Sequence, residues 1–324
     1  MSIADRKPLI AAIEQKRQSR VVCCVTSDRV NAQGVIAKDF LPRFYTHLRA
    51  FESEKVDIFL FTLGGDTLAA YALSRFVREF TKQVGVLVPL WCHSAGTLFA
   101  LGASEIFMSR MATLSSIDPS IVAPLNPVVE PAPGQRQPVP VAVESVTGYR
   151  NAIRDDWRLD DEGSAVAFRL LGERVNPLLI GDLYRGREQI VRLASSLLKL
   201  HRTDEDKIQK IVTTLASGLG SHDYLIGPTE ARELLDSQVL PQDNDLEDLV
   251  LRLYEDFAGE MELGKVFNPT VELQAAIATN QQLPLRKVLK LVTIESEARA
   301  DSWEREILMA LPPAQPQVIR DGWR

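Results

Sequence analysis

The sequence contains little cysteine and no excess of positive charge. Only three of its 324 residues are cysteine, and two of them, Cys23 and Cys24, are adjacent. Because no C-x-x-C pair is present, a disulfide framework and a cysteine-rich zinc site are excluded, and the thiols are expected to be buried and reduced. Lys and Arg number 37 against 43 Asp and Glu, a formal net charge of −6. This balance gives the chain no overall attraction to nucleic acid or to anionic lipid.

Long apolar runs are also scarce. The first 20 residues are polar and helical in pattern, without the apolar core of a signal peptide. Residues 84–103 form the one run long enough to cross a membrane, but Pro89, Ser94 and Gly96 interrupt it. That run is better interpreted as a strand, a sharp turn and a helix. We therefore expect a cytoplasmic protein without a membrane span.

The first two thirds of the chain alternate between strand and helix signals. Short apolar runs predict buried strands, and segments with apolar residues three and four apart predict the helices between them. Buried strands separated by helices indicate a largely parallel sheet covered on both faces, and therefore an α/β fold. The predicted strands are residues 20–27, 56–63, 84–90, 105–109 and 113–117.

The remaining segments predict a proline-rich loop and a helical tail. Six prolines lie between residues 124 and 140, so residues 121–142 are expected to form an extended loop. From residue 144 onward the pattern is mostly helical, and the tail from residue 268 is predicted as helix to about residue 311. We therefore expect a core over residues 1–240 and a helical C-terminal extension over residues 241–324, which would serve oligomerisation.

Three segments carry the residue types of a catalytic site. Gly64 and Gly65 follow a buried strand, where a missing Cβ lets backbone N–H groups face outward. Ser94 lies at a strand-to-helix junction in Ser-Ala-Gly-Thr, where the free N–H groups at the start of a helix favour a developing oxyanion. The third segment is Ile117-Asp118-Pro119, at the end of a later strand.

The order and spacing of these segments resemble the serine dehydrogenase proteinase (SDH) family. That family is related to signal peptide peptidase A and to the Clp protease proteolytic subunit, which share the Clp/crotonase fold. The similarity covers roughly residues 20–240 and includes a His-Asp-Tyr segment that begins at His222. It implies a serine peptidase without a cofactor, acting on a peptide or protein substrate and assembling as a homo-oligomer. It further implies that Ser94 is the nucleophile and that the Gly64-Gly65 loop and the N–H of Ala95 hold the oxyanion.

The general base departs from the patterns of these relatives. Where the Clp subunit has its histidine, this chain has Asp118, and no lysine occurs between Lys82 and Lys199. An aspartate is a weak base for a serine hydroxyl, since its ordinary pKa is about 3.9. We therefore predict that His222 takes the proton and that Asp118 orients its imidazole, because triads are defined by geometry rather than by chain order. The alternative bases are His93, Lys199, Lys207 and Lys210.

Other functions remain open at this point. An inactive scaffold or partner-binding protein would explain why the usual base is missing. A crotonase-type acyl-CoA enzyme would share the fold and could use the same oxyanion hole for an enolate. No G-x-G-x-x-G opens a βαβ unit, so nothing in the sequence supports nicotinamide binding.

Overall fold

The computed structural model describes residues 3–117, 120–121, 126–132, 135–139, 141–311 and 315–324. The chain forms two compact units, residues 1–114 with 226–324 and residues 115–225. In chain order, the helices and strands are α1 (Ile3–Arg17), β1 (Arg20–Thr26), α2 (Phe40–Leu48), β2 (Lys55–Phe61), α3 (Thr67–Val77), β3 (Gln83–Val88), β4 (Trp91–Cys92), α4 (Ala95–Leu101), β5 (Glu105–Met108), β6 (Thr113–Ser115), β7 (Ser120–Ile121), β8 (Val128–Ala132), β9 (Gln135–Pro138), β10 (Val141–Ala142), α5 (Val143–Asn151), α6 (Asp161–Arg174), α7 (Pro177–Leu198), α8 (Glu205–Thr213), β11 (Leu225–Ile226), α9 (Pro228–Leu235), α10 (Asn244–Met261), α11 (Pro269–Ala278), β12 (Leu285–Glu295), β13 (Ala300–Met309) and β14 (Gln317–Trp323).

The first unit is built around a seven-stranded sheet in the order β14-β13-β12-β1-β2-β3-β5. Strands β1, β2, β3 and β5 are parallel, with Val22 beside Ile58 and Val86 beside both Ile58 and Ile106. Six of the seven residues of β1 and of β2 are buried, which is why these strands read as continuous apolar runs. The predicted α/β class is confirmed, and the five predicted strands correspond to β1, β2, β3, β5 and β6, while the two-residue strand β4 was not predicted.

The predicted helical tail is wrong beyond α11. In place of a helix, the tail has the antiparallel strands β12, β13 and β14, and β12 pairs with β1 to extend the main sheet. Leu285, Val288, Leu289 and Val292 follow the spacing of a helix face, so the local pattern was ambiguous. Pairing with β1 decides the outcome, because local propensity yields to tertiary contacts. Residues 226–324 therefore belong to the first unit, while their role in oligomerisation stays a prediction.

The proline-rich segment is also more ordered than predicted. Strands β8 and β9 pair antiparallel, with Val128 opposite Pro138. The N–H of Val139 donates to the carbonyl of Pro127 over 2.7 Å. A two-stranded ribbon leaves half of its N–H groups unpaired, so proline is tolerated on its outer edges. The expected extended loop is thus a hairpin where the structure describes it, and Pro124, Pro133 and Pro140 lie outside the described residues.

The second unit is mostly helical. Its small apolar core contains Val143 and Val146 of α5 with Leu179 and Leu183 of α7. Single π-helical turns lie at Ala152–Asp156 and Thr214–Gly218. Across the described parts of both units, no helix is long and apolar enough to span a membrane.

A buried histidine connects α2 to the C-terminal strands. The ring of His47 is fully buried, with Nδ1 2.8 Å from Ser296 Oγ and Nε2 3.1 Å from Asp301 Oδ2. Burial lowers the pKa of His47 to about 4, although Asp301 opposes this shift. The imidazole is therefore neutral in the folded protein at neutral pH.

This histidine predicts a loss of stability in acid. Between pH 6.5 and 4 the unfolded chain protonates His47 and the folded chain does not, so the free energy of unfolding should fall by about 3 kcal/mol across that range. Urea unfolding at several pH values should show this fall in the native protein. The difference between the native protein and His47→Gln should shrink as the pH decreases, and a constant difference would contradict the assignment.

Candidate active site

Ser94 occupies a strained turn between β4 and α4. Its φ of 50° and ψ of −113° lie outside the regions that residues with a Cβ normally adopt. Such a conformation costs about 1–3 kcal/mol and persists only where its surroundings enforce it. All seven residues of α4 are buried, and Thr97 Oγ1 donates to the carbonyl of Cys92 over 2.7 Å. The helix and the strand therefore hold the serine in a sharp elbow, the arrangement that exposes a nucleophile in many hydrolases.

The two glycines after β2 pack against this elbow. Gly64 and Gly65 have φ values of 117° and 146°. A Cβ added to Gly64 would lie 3.0 Å from Ser94 Cβ, and one added to Gly65 would lie 2.3 Å from the carbonyl oxygen of Ile36. Both positions thus require glycine for conformation and for space. The sequence prediction that this loop and Ser94 lie together is consistent with the geometry.

Thr62 joins the loop to the serine. Its N–H donates to the carbonyl of Trp91 over 2.8 Å, and its carbonyl accepts from His93 N–H over 3.0 Å. Its hydroxyl accepts from Gly64 N–H over 3.0 Å. Sequence reasoning missed Thr62, because its hydrogen bonds to residues 91 and 93 have no local signature in the sequence.

Two backbone donors remain available beside Ser94. The N–H groups of Gly65 and Ala95 donate no hydrogen bond to any other residue that the structure describes. The Gly64 N–H, in contrast, is engaged by Thr62. Among the three residues predicted for the oxyanion hole, Gly65 and Ala95 therefore have donors to offer and Gly64 contributes through packing.

The nearest thiol is not a competing nucleophile. Cys92 is fully buried, and this burial raises the pKa of its thiol. A cysteine must be ionised to attack, so a buried neutral thiol is inert.

The His93 side chain is directed to another element. Its Nε2 lies 2.8 Å from Thr113 Oγ1, and its ring stacks on Trp91 at a centroid distance of 6.1 Å. These contacts indicate that His93 stabilises the turn, and they do not favour it as the base.

The residue predicted as the base, His222, belongs to the second unit. His222 is half-buried in a turn ahead of β11. Asp118 lies outside the described residues. The residues that precede Asp118 contact the segment that precedes His222: the N–H of Ile117 and the Oγ of Ser116 each donate a hydrogen bond of 3.0 Å to the Leu215 carbonyl.

The alternative lysines are on exposed surface. Lys199 is half exposed and pairs with Glu205 at 2.8 Å, and both Lys207 and Lys210 are exposed. Their exposure does not favour a role as the base, which lysine takes where it is buried. In the described residues, no group of histidine, cysteine or carboxylate side chains could hold a metal ion.

The loop geometry predicts the effect of a single methyl group. Gly65→Ala places a Cβ against the Ile36 backbone at a φ of 146°, so we expect the loop to shift and stability to fall by about 1–3 kcal/mol. Reactivity of Ser94 should fall with it. Gly259→Ala is the matched control, since open space surrounds that helical position, and it should be neutral or slightly stabilising. Equal stability of both variants in thermal unfolding would contradict this account of the loop.

Several known proteins resemble the chain. Two uncharacterized proteins of Methanocaldococcus jannaschii are 25% identical over 237 residues, 71% of both chains, and 26% identical over 239 residues, 72% of this chain and 70% of the relative. A variant of the 1510-N membrane-bound stomatin-specific protease matches with a TM-score of 0.38 and 19% identity, over 67% of this chain and 80% of that one. ClpP1 from Listeria monocytogenes matches with a TM-score of 0.37 and 15% identity, over 72% and 99%.

The family model that matches is that of the ClpP-like SDH-type serine proteinases, over residues 1–138. This range contains Gly64, Gly65, Ser94 and Asp118, and His222 lies beyond it. The resemblance noted from the sequence motifs is confirmed. Over residues 1–138, the chain is therefore similar to the ClpP-like SDH-type serine proteinases.

Proposed function

We propose that the chain is a serine peptidase that cleaves peptide bonds through an acyl-enzyme on Ser94. The observation that carries the proposal is the strained conformation of Ser94, φ 50° and ψ −113°, with Gly64 packed against it. A strained residue inside a buried framework lowers stability, so it is most readily explained by a function that needs that conformation. The match of residues 1–138 to the serine proteinase family model supports the same interpretation.

The chemistry follows from the groups around the serine. Ser94 Oγ attacks the carbonyl carbon of the scissile peptide bond, and its proton passes to the base. The resulting oxyanion accepts hydrogen bonds from the N–H groups of Gly65 and Ala95, since backbone donors that are fixed before the reaction stabilise a developing charge without reorganisation. The amine leaves with the proton that the base returns, and water then hydrolyses the acyl-enzyme by the same steps in reverse order.

We assign the base to His222 and its orientation to Asp118. The contact of Ser116 and Ile117 with the Leu215 carbonyl supports this assignment, because it joins the residues that precede Asp118 in the sequence to the segment that precedes His222. We also propose that the protein is cytoplasmic, acts on a peptide or protein substrate and assembles as a homo-oligomer.

An inactive scaffold is the second candidate function. The observation that favours it is the absence of histidine and lysine at the positions where related enzymes keep their base. A scaffold would keep the elbow as inherited structure but would not activate Ser94.

Labelling with a fluorophosphonate separates the two functions. An activated serine forms a covalent adduct, so we expect an adduct on the peptide that contains Ser94 in the native protein and none in Ser94→Ala. Ser237→Ala is the matched control, because that serine is exposed on a separate 3₁₀ turn, and Ser94 should still form its adduct in this variant. A folded protein whose Ser94 stays unmodified at high reagent concentration would favour the scaffold.

A further inference from the structure

Helix α6 has an exposed apolar side within the second unit. Of its 14 residues, Ala167 is the buried one, while Val166 and Leu170 are 43% and 50% exposed. The nearby Trp157 is 60% exposed. Together with Leu159, these side chains line an open cavity of about 560 Å³. Exposed apolar side chains grouped in this way mark a surface that another molecule covers.

The same side of α6 has charges that lack partners. Glu162, Arg169 and Glu173 lie within about 40° of one another around the helix, on the side that carries Val166. None of the three forms a salt bridge with any side chain in the described ranges, and the same holds for Arg158 just before the helix. Their sequence order is basic, acidic, basic, acidic.

This order is complementary to itself in the antiparallel direction. If Glu162 of one copy faces Arg169 of a second copy, the two-fold axis also sets Arg169 of the first opposite Glu162 of the second. The same register brings residue 158 opposite residue 173, again with opposite charges. The axis then passes beside Val166, and Leu170 of each copy meets the Trp157 and Leu159 region of the other. An isologous contact of this kind repeats every favourable pair twice.

We propose that α6 is an interface between two copies of this chain, packed antiparallel about a two-fold axis next to Val166. The apolar strip and cavity supply the buried centre of the contact, and the unpaired charges form its rim and set the register. Phe168 lies outside this interface, because two residues along a helix correspond to a rotation of about 200°. The inference does not depend on the proposed peptidase activity, since it uses residues of α6 and its approach alone.

Cysteine cross-linking of the full chain tests the geometry. Near the axis, a cysteine at position 166 meets its own counterpart, so Val166→Cys treated with a short bis-maleimide should form a covalent dimer. Phe168→Cys is the matched control, since position 168 is more exposed than position 166 (60% against 43%) but lies on the other side of the helix, and this variant should stay monomeric on denaturing gels. The three native cysteines are buried and should not react. No dimer from Val166→Cys, or equal dimer from both variants, would overturn the proposal.

Charge reversal tests the register. Adding Glu162→Arg to Val166→Cys sets two like-charged pairs across the axis and should lower the dimer yield at least about tenfold. Adding Arg169→Glu as well restores opposite charges, and the yield should recover. A yield that falls further in the combined variant, or one that Glu162→Arg leaves unchanged, would exclude this arrangement of the copies.

Discussion

Replacing His222 by alanine is expected to slow peptide hydrolysis by about 10²–10⁴-fold, the usual contribution of a general base. Ser94 and its two backbone donors remain in this variant, so the residual rate should exceed the uncatalysed one. His222 is half-buried in a turn, and its loss should leave the fold and the thermal unfolding temperature nearly unchanged. The measurement is the turnover of a fluorogenic peptide by the native protein and by the variant.

Two control variants make the test specific. His201→Ala removes the other histidine of the second unit, and Lys199→Ala removes the lysine paired with Glu205. Both should retain activity. Undiminished turnover in His222→Ala would reject the proposed base and leave Ser94 as nucleophile intact, while loss of activity in Lys199→Ala would transfer the role to that lysine.

The sequence predicts best those strands that are buried on both faces. Strands β1, β2 and β3 are buried on both faces, so nearly every position is apolar and the run itself marks the strand. Strand β12 is half-exposed over its first residues, where Leu285, Val288 and Leu289 alternate irregularly with charge. The same residues also fit the pattern of a helix, and the antiparallel pairing with β1 determines that they form a strand.

The candidate site also contains some residues that the sequence predicts and others that it does not. Gly64, Gly65 and Ser94 could be found because each sits next to a buried strand and has a residue type that a turn requires. Thr62 could not, since its role comes from three hydrogen bonds to residues 64, 91 and 93. A pairing between segments distant in sequence, such as Ser116 with Leu215, has no local signature at all.

A fully buried arginine joins three elements of the first unit. Arg6 of α1 donates to Glu295 of β12 at 2.7–3.1 Å and to Asp256 of α10 at 2.7 Å. Its guanidinium also lies 4.4 Å from the centroid of the Phe257 ring. Arg6 Nη1 also lies 2.6 Å from Glu260 Oε2, and that carboxylate has a second cation in Lys290 at 2.6 Å. Arg6 and Glu295 are 0% exposed and Asp256 is 4% exposed, so Glu295 and Asp256 depend on Arg6 for most of their compensation.

Arg6→Met is therefore expected to lower the free energy of unfolding by about 3–5 kcal/mol, because it leaves buried carboxylates without a partner. The matched control is Arg185→Met, which breaks the exposed pair with Asp182 at 2.9 Å and should cost less than about 1 kcal/mol. Urea unfolding of both variants gives the comparison. Equal and small losses would show that Arg6 does not compensate these carboxylates.

The pH dependence of the Arg6 variant identifies the carboxylate concerned. Burial raises the pKa of Glu295 in the native protein although Arg6 opposes this shift, so removing Arg6 should raise that pKa further. A folded carboxyl with a raised pKa contributes stability that is present below the pKa of the unfolded chain and is lost as the pH rises through the folded value. The loss caused by Arg6→Met should therefore grow from pH 5 to pH 8. Adding Glu295→Gln removes the titrating group, so the remaining loss should no longer grow with pH, and persistence of the slope would assign it to another residue.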